Sequence, residues 1–180
     1  IARQEKFVKT PEEQMPTDKE KKIMLKALHD FFIARDRGYS FEAFAAYITE
    51  CMDDAIVDID VTRPFKDGGF DAEGRYKIFR NAENSVYVDF YLQAKCYEES
   101  NPVVVKDTSR LISRIKNRQF GIMITTSYVA SQAYREILED GHPIVIITGK
   151  DIIEFIFNEM EIRTTTDLQS WLTNNFANSM

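Results

Sequence analysis

The order in which helical and strand-like hydrophobic patterns follow one another limits the folds open to this chain. Apolar residues recur at helical spacing before residue 53, and three strand-like segments then occupy residues 56–61, 76–79 and 86–97. Beyond them, helical and strand-like segments alternate as far as residue 176. Three meandering strands followed by alternating helices and strands predict an α/β fold with a mixed central β-sheet and helices on both faces.

The second half of the chain is expected to add two buried strands and four helices. The strands are the short β-rich runs 120–125 and 144–148. The helices are predicted over residues 108–118, 128–139, 152–160 and 166–176. Residues 1–20 are polar and contain two prolines, which predicts a linker or a docked arm, and residues 21–180 are expected to form one domain.

Charge and composition restrict the binding partners and the compartment. The formal net charge of -6 excludes nucleic-acid binding through bulk charge, so a DNA-binding surface must concentrate its basic residues. No apolar run approaches the ~20 residues of a membrane-spanning helix, and no secretion signal is visible, so the expected location is the cytoplasm. Cys51 and Cys96 lack a disulfide framework and are expected to be free thiols. The chain begins at Ile1, which leaves open a missing N-terminal recognition domain.

Three polar residues on two neighbouring strands form the candidate active site. Asp71 precedes the strand around Tyr76, and the hairpin partner of that strand carries Gln93 and Lys95. Side chains alternate across a strand, so Gln93 and Lys95 project from one face and Asp71 can approach them from the neighbouring strand. An amide and an amine near the end of a largely apolar strand are costly to bury without partners, which favours a functional role.

This combination suits hydrolysis of phosphodiesters with Mg²⁺. Magnesium prefers oxygen ligands, so Asp71, the Gln93 amide oxygen and the backbone carbonyl of Ala94 are the proposed metal ligands. Lys95 would orient or activate the attacking water. Each of three carboxylates has two interpretations. Asp71 and Asp67 are either turn residues or metal ligands, and Asp89 is either an exposed polar residue or an auxiliary ligand. The two histidines, which lack any ligand pattern, are expected at surface or turn positions; they are His29 and His142.

These motifs resemble the PD-(D/E)xK nucleases, specifically the Mrr-like branch in which glutamine replaces the second acid. The matching segments are Gly69-Phe70-Asp71, Gln93-Ala94-Lys95, Phe41-Glu42 and the strand 121–127 with its paired threonines. The resemblance implies a restriction-endonuclease-like core, Mg²⁺-dependent cleavage of double-stranded DNA, and Glu42 as an auxiliary catalytic acid. From the residues alone, Glu42 is equally a first-turn acid favoured by the helix dipole.

A narrower resemblance concerns two further segments. Residues 64–69 and 108–114 look like the catalytic domains of modification-dependent restriction endonucleases of the MspJI and AspBHI type. In that family the nuclease domain follows a separate domain that recognises a modified cytosine, and this chain is too short to contain one.

A row of basic residues follows the catalytic strand. Lys106, Arg110, Arg114 and Arg118 recur every four residues, which predicts a basic stripe on one helix. Such a stripe is either a solvated helix face or a surface that contacts DNA phosphates. Because cutting both strands requires two active sites, a homodimer or higher oligomer is expected. The alternatives are a non-catalytic DNA-binding or assembly module of the same fold, and a structure-specific, junction-resolving nuclease.

Overall fold

A five-stranded sheet with helices on both faces forms the described part of the chain. The structure, a computed structural model, describes residues 7–62, 71–81 and 83–177. The strands are β1 (Ile56–Val61), β2 (Ala72–Ile78), β3 (Val86–Lys95), β4 (Phe120–Thr125) and β5 (Ile144–Ile147). The helices are α1 (Lys19–Asp36), α2 (Phe41–Met52), α3 (Val105–Ile112), α4 (Ser131–Glu139), α5 (Gly149–Asn158) and α6 (Thr165–Phe176). None of these helices combines the length and apolar character needed to cross a membrane.

The sheet is mixed, as the sequence predicts. Its spatial order is β1-β2-β3-β4-β5, with β1, β2 and β3 antiparallel and β3, β4 and β5 parallel. Parallel neighbours need crossover connections, which α3 supplies between β3 and β4, and α4 between β4 and β5. β2 begins at Ala72 rather than Tyr76, so Asp71 lies directly at the start of the strand.

The two faces of the sheet have separate apolar cores. On the first face, α1, α2, α5 and α6 pack over a core that includes Phe32, Phe44, Leu92 and Ala94. On the second face, α3 and α4 pack over a smaller core that includes Leu111 and Met123. Because side chains alternate along β3, the burial of Leu92 and Ala94 on the first face directs Gln93 and Lys95 to the second. This alternation was the basis of the predicted site.

No helix of the described residues covers the second face over β1 and β2. Four exposed carboxylates lie on this open half, belonging to Asp58, Asp60, Glu73 and Asp89, with Asp58 opposite Arg75 and Arg75 opposite Asp89. Arg75 Nε donates a hydrogen bond to Asp58 at 2.8 Å. Lys77 is the other cation of this surface, which is therefore acidic overall.

The predicted basic stripe is wrong as a continuous helical surface. α3 begins at Val105 because the Asp107 carboxylate accepts the Val104 backbone N–H at 3.2 Å, and the helix ends at Ile112. Beyond it, Gln119 N–H donates to Lys116 O at 3.1 Å, which closes a turn in which Arg118 has a φ of 66°. Only Lys106 and Arg110 lie on the helix, whereas Arg114 and Arg118 lie in the segment between α3 and β4.

The polar N-terminal segment is docked on the domain from residue 7 onwards. Thr10 and Glu13 form the expected capping box, with Thr10 N–H donating to Glu13 Oε2 at 2.7 Å and Glu13 N–H donating to Thr10 Oγ1 at 3.3 Å. The buried Gln14 side chain holds this arm to the loop after β4. Its Nε2 donates to Val129 O at 3.1 Å, and its Oε1 accepts the Val129 N–H at 2.9 Å.

Candidate active site

Asp71 is fixed against the carboxyl-terminal end of β3 by hydrogen bonds from both its backbone and its side chain. Its N–H donates to Leu92 O at 2.8 Å, and its carbonyl oxygen accepts the Thr62 N–H at 2.9 Å. The carboxylate Oδ2 accepts the Ala94 backbone N–H at 2.7 Å. Ala94 stands between Gln93 and Lys95, so the structure brings together the three residues that the sequence singled out.

Gln93 has an unsatisfied oxygen at this position. The residue is 1% exposed, and Oε1 is buried with no hydrogen-bond partner among the described residues. A buried acceptor without a partner costs about 1–3 kcal/mol, and such groups are rare in folded proteins. A buried amide oxygen of this kind can serve as a ligand for a cation such as Mg²⁺.

Glu42 reaches the same place from the first turn of α2. Burial and the negative charge of Asp71 raise its pKa to about 7, while the positive charge of Lys95 opposes the rise. These interactions put Glu42 within electrostatic range of both residues. At neutral pH its carboxyl group is therefore divided between neutral and charged forms.

Electrostatics also connect Arg110 to the site. Burial raises the pKa of Asp71, and the hydrogen bond from Ala94 and the positive charges of Lys95 and Arg110 oppose that rise. The sequence predicted Arg110 as one member of a DNA-binding stripe and missed that its charge acts on the Asp71 carboxylate. The sequence feature that could have indicated this link is Tyr97, because it continues the alternation of Gln93 and Lys95 along the strand and contacts α3.

Other candidate residues lie elsewhere. Asp89 is exposed on the open half of the second face, as one of its two interpretations predicted. Asp67 and the segment 64–70, including the turn expected at 66–69, lie outside the described residues. Lys106 and Arg118 are exposed, on and beyond α3 respectively.

Cys96 follows Lys95, but burial raises the pKa of its thiol to about 12, which excludes a reactive thiolate at neutral pH. Both cysteines are free, as expected.

The residues present fit Mg²⁺ better than a transition metal. Across the described ranges, no group of three His, Cys, Asp or Glu side chains is arranged to hold a metal ion. The donors that Asp71, Gln93 and the Ala94 carbonyl offer are all oxygen, and Mg²⁺ keeps several of its waters when proteins bind it. An oxygen-only set with few protein ligands therefore suits this cation.

A cavity of about 550 Å³ lies next to Tyr97 and contains none of the proposed ligands. It is lined by the N-terminal arm, α1 and the segment after β3, including Leu25, His29 and Glu98. The expected surface position of His29 is wrong: the residue is 8% exposed, and its Nδ1 lies 3.0 Å from Asp30 Oδ1.

The fold and this group of side chains define a nuclease-type domain, and sequence comparison gives its family. The Mrr catalytic-domain profile, described as "Restriction endonuclease", matches residues 33–156. The match covers more than half of the chain, which therefore belongs to the restriction endonuclease family. It includes Glu42, Asp71, Gln93, Lys95 and Arg110. A search of curated protein sequences finds no match.

Solved structures with the same fold include two restriction enzymes. The DNA modification-dependent restriction endonuclease AspBHI superposes with a TM-score of 0.86 and 38% identity, covering 99% of this chain and 45% of that chain. The MspJI restriction endonuclease, in complex with a 27-mer oligonucleotide, superposes with a TM-score of 0.79 and 23% identity, covering 95% and 39%. The second similarity concerns the fold alone. This chain spans less than half the length of either protein.

Proposed function

We propose that this chain is the DNA-cleaving domain of a Mg²⁺-dependent restriction-type endonuclease. The observation that carries the proposal is the 2.7 Å hydrogen bond from Ala94 N–H to Asp71 Oδ2, which holds the carboxylate between the buried Gln93 oxygen and Lys95. Asp71, Gln93 and the Ala94 carbonyl would bind the cation. Glu42, in its charged form, would add negative charge to the same position.

The remaining roles of the site residues are to orient the attacking water, to stabilise charge on the phosphate and to accept a proton. When bound, Mg²⁺ supplies a Lewis acid that polarises the phosphate and acidifies a bound water. Lys95 orients the attacking water and offsets the charge that develops on the phosphate. Glu42, with a pKa of about 7, can accept a proton near neutral pH. Asp71 keeps a fixed direction because the backbone of β3 holds one of its oxygens.

We further propose double-stranded DNA as the substrate and a larger assembly as its context. Lys106 and Arg110 on α3, with Arg114 and Arg118 in the segment before β4, would supply positive charge for contacts with DNA phosphates. The similarity to AspBHI supports a separate recognition domain and a possible requirement for modified bases. Two active sites are needed to cut two strands, which favours a homodimer or higher oligomer. Cytoplasmic localisation also stays a prediction.

The decisive experiment compares metal-dependent cleavage of two DNA shapes. A linear duplex and a four-way junction of the same composition are incubated with the protein in Mg²⁺ or in EDTA, with Asp71→Asn as the matched control. This substitution keeps a hydrogen-bond acceptor for Ala94 while removing the charge. Mg²⁺-dependent cleavage of the linear duplex, lost in Asp71→Asn, is expected. Cleavage of the junction alone would favour a resolving nuclease, and binding without cleavage would favour a non-catalytic module.

A further inference from the structure

α3 crosses β3 and β4 on the face that carries the proposed site. At one end, Asp107 contacts Tyr97, which follows β3. At the other end, Leu111 packs on Gly121, where an added Cβ would come within 3.0 Å of Leu111 Cδ2. Gly121 pairs with Tyr91 of β3. Arg110 therefore lies over the part of β3 between Tyr91 and Tyr97, which is the part that contains Gln93 and Lys95.

The contact between Tyr97 and Asp107 determines where α3 begins. The Tyr97 hydroxyl donates to Asp107 Oδ1 at 3.2 Å, while Asp107 Oδ2 accepts the Val104 N–H at 3.2 Å. One carboxylate thus caps the first turn of the helix and attaches it to the catalytic strand. Tyr97 is itself fixed, since its carbonyl oxygen accepts a hydrogen bond from Thr126 Oγ1 at 2.7 Å. The tyrosine ring packs against the core that contains Leu111.

Arg110 lies one helical turn beyond Asp107 and differs from the other basic residues of this region. Its charge acts on both Asp71 and Tyr97. Among these basic residues, Lys106 lies on the preceding turn of α3, and Arg118 lies in the turn before β4. On the proposed function, a guanidinium on this turn of α3, with a charge that acts on Asp71, can contact the phosphate whose charge changes during cleavage, in addition to neighbouring phosphates of the DNA backbone.

We propose that Tyr97 is a positioning residue of the active site, which acts through Asp107 and α3 to hold the Arg110 guanidinium beside Asp71, where it contacts the phosphate to be cleaved. The proposal rests on the proposed nuclease function. It assigns Arg110 a role in the chemical step. It also gives a structural reason for a tyrosine two residues after Lys95, because a phenylalanine would fill the same space without holding the helix.

The test is a double-mutant cycle on the cleavage reaction. Arg110→Ala is expected to lower kcat about a hundredfold, by analogy with the removal of one group that stabilises transition-state charge. Tyr97→Phe is expected to lower kcat about tenfold, the scale of residues that orient ligands, with KM within about twofold of wild type. In the Arg110→Ala background, Tyr97→Phe should have no further effect, because its action passes through Arg110. Arg110→Lys should recover part of kcat.

Controls separate this proposal from the nuclease assignment. Tyr134→Phe removes a hydroxyl from the same apolar cluster and should leave kcat unchanged. Amide hydrogen exchange in the first turn of α3 should rise about tenfold in Tyr97→Phe, a readout of helix fraying that does not require cleavage. Unchanged exchange, a loss confined to KM, or additive losses of kcat would each overturn the positioning role. A wild-type protein that does not cleave DNA would instead overturn the proposed function, and exchange would then decide the positioning contact alone.

Discussion

Replacing Gln93 by methionine should stabilise the metal-free protein while weakening its response to Mg²⁺. The residue is 1% exposed, and within the part of the chain that the structure describes its Oε1 has no hydrogen-bond partner. Methionine has a similar length and volume, so the substitution removes a buried, unpaired oxygen without opening a large cavity. An unsatisfied buried acceptor costs about 1–3 kcal/mol, which is the expected gain in the free energy of unfolding. For a chain of 180 residues this corresponds to a rise in Tm of roughly 2–4 °C per kcal/mol.

The assay is urea unfolding of wild type and Gln93→Met, first in EDTA and then in Mg²⁺. In EDTA the variant should be the more stable protein. Mg²⁺ should then stabilise wild type, because a cation that binds only the folded state shifts the unfolding equilibrium, whereas the variant should gain less. Cleavage should be lost in the variant under all conditions. The substitution is thus expected to exchange activity for stability at a single side chain.

Gln14 provides a matched control within the same chain. It is also 1% exposed, but its side chain makes hydrogen bonds to Val129 N–H and Val129 O at 2.9 and 3.1 Å. Gln14→Met should therefore destabilise the protein by about 1–3 kcal/mol, since it leaves buried backbone groups unpaired. If Gln93→Met destabilised the protein in EDTA as much as Gln14→Met does, the Gln93 oxygen would be satisfied in the folded state. The argument for a ligand at that position would then fail.

Three further predictions concern other residues of the site. Lys95→Ala should lower kcat by at least about a hundredfold with unchanged circular dichroism and nearly unchanged DNA affinity, and cleavage within a few-fold of wild type would remove Lys95 from the mechanism. Lys106→Ala with Arg118→Ala should weaken DNA binding for all sequences and flatten the plot of log affinity against log salt by about one unit per lost phosphate contact, while an unchanged slope would identify both as solvated surface residues. The pKa of Glu42 rises from 4.5 to about 7 on folding, so the folded state holds this proton more tightly; the associated stability is full below pH 4.5 and is lost as the pH rises through about 7. Urea unfolding in EDTA should show that decline between pH 5 and 8, and Glu42→Gln should reduce it, whereas an identical profile in the variant would assign the decline to other groups.

The sequence was sufficient to predict the sheet and the group of Asp71, Gln93 and Lys95, because both follow from local periodicity. Alternation along β3 is a property of the strand itself, and the apolar partners Leu92 and Ala94 reveal which face is the first core. The three-strand meander likewise followed from short strands joined by polar connections. These features required no knowledge of distant contacts.

The position of α3 could not be predicted in the same way. Its apolar and basic residues continue in helical register beyond Ile112, so periodicity alone extends the helix to Arg118. The actual bounds depend on a cap from Asp107 and on a turn closed by Lys116 and Gln119. The electrostatic effect of Arg110 on Asp71 depends on the tertiary packing that places α3 over β3 and β4. The missing partner of Gln93 Oε1 likewise depends on every side chain around it, which no local pattern encodes.

The acidic open half of the second face has a directional effect on any polyanion that approaches the site. Asp58, Asp60, Glu73 and Asp89 repel phosphates on one side of Asp71, while Lys106 and Arg110 attract them on the other. The two surfaces act together as an electrostatic gradient across β3, with a range set by the ionic strength. On the proposed function, a duplex would thus approach the end of β3 from the α3 side, and this field would orient it at the site before any contact with a base forms.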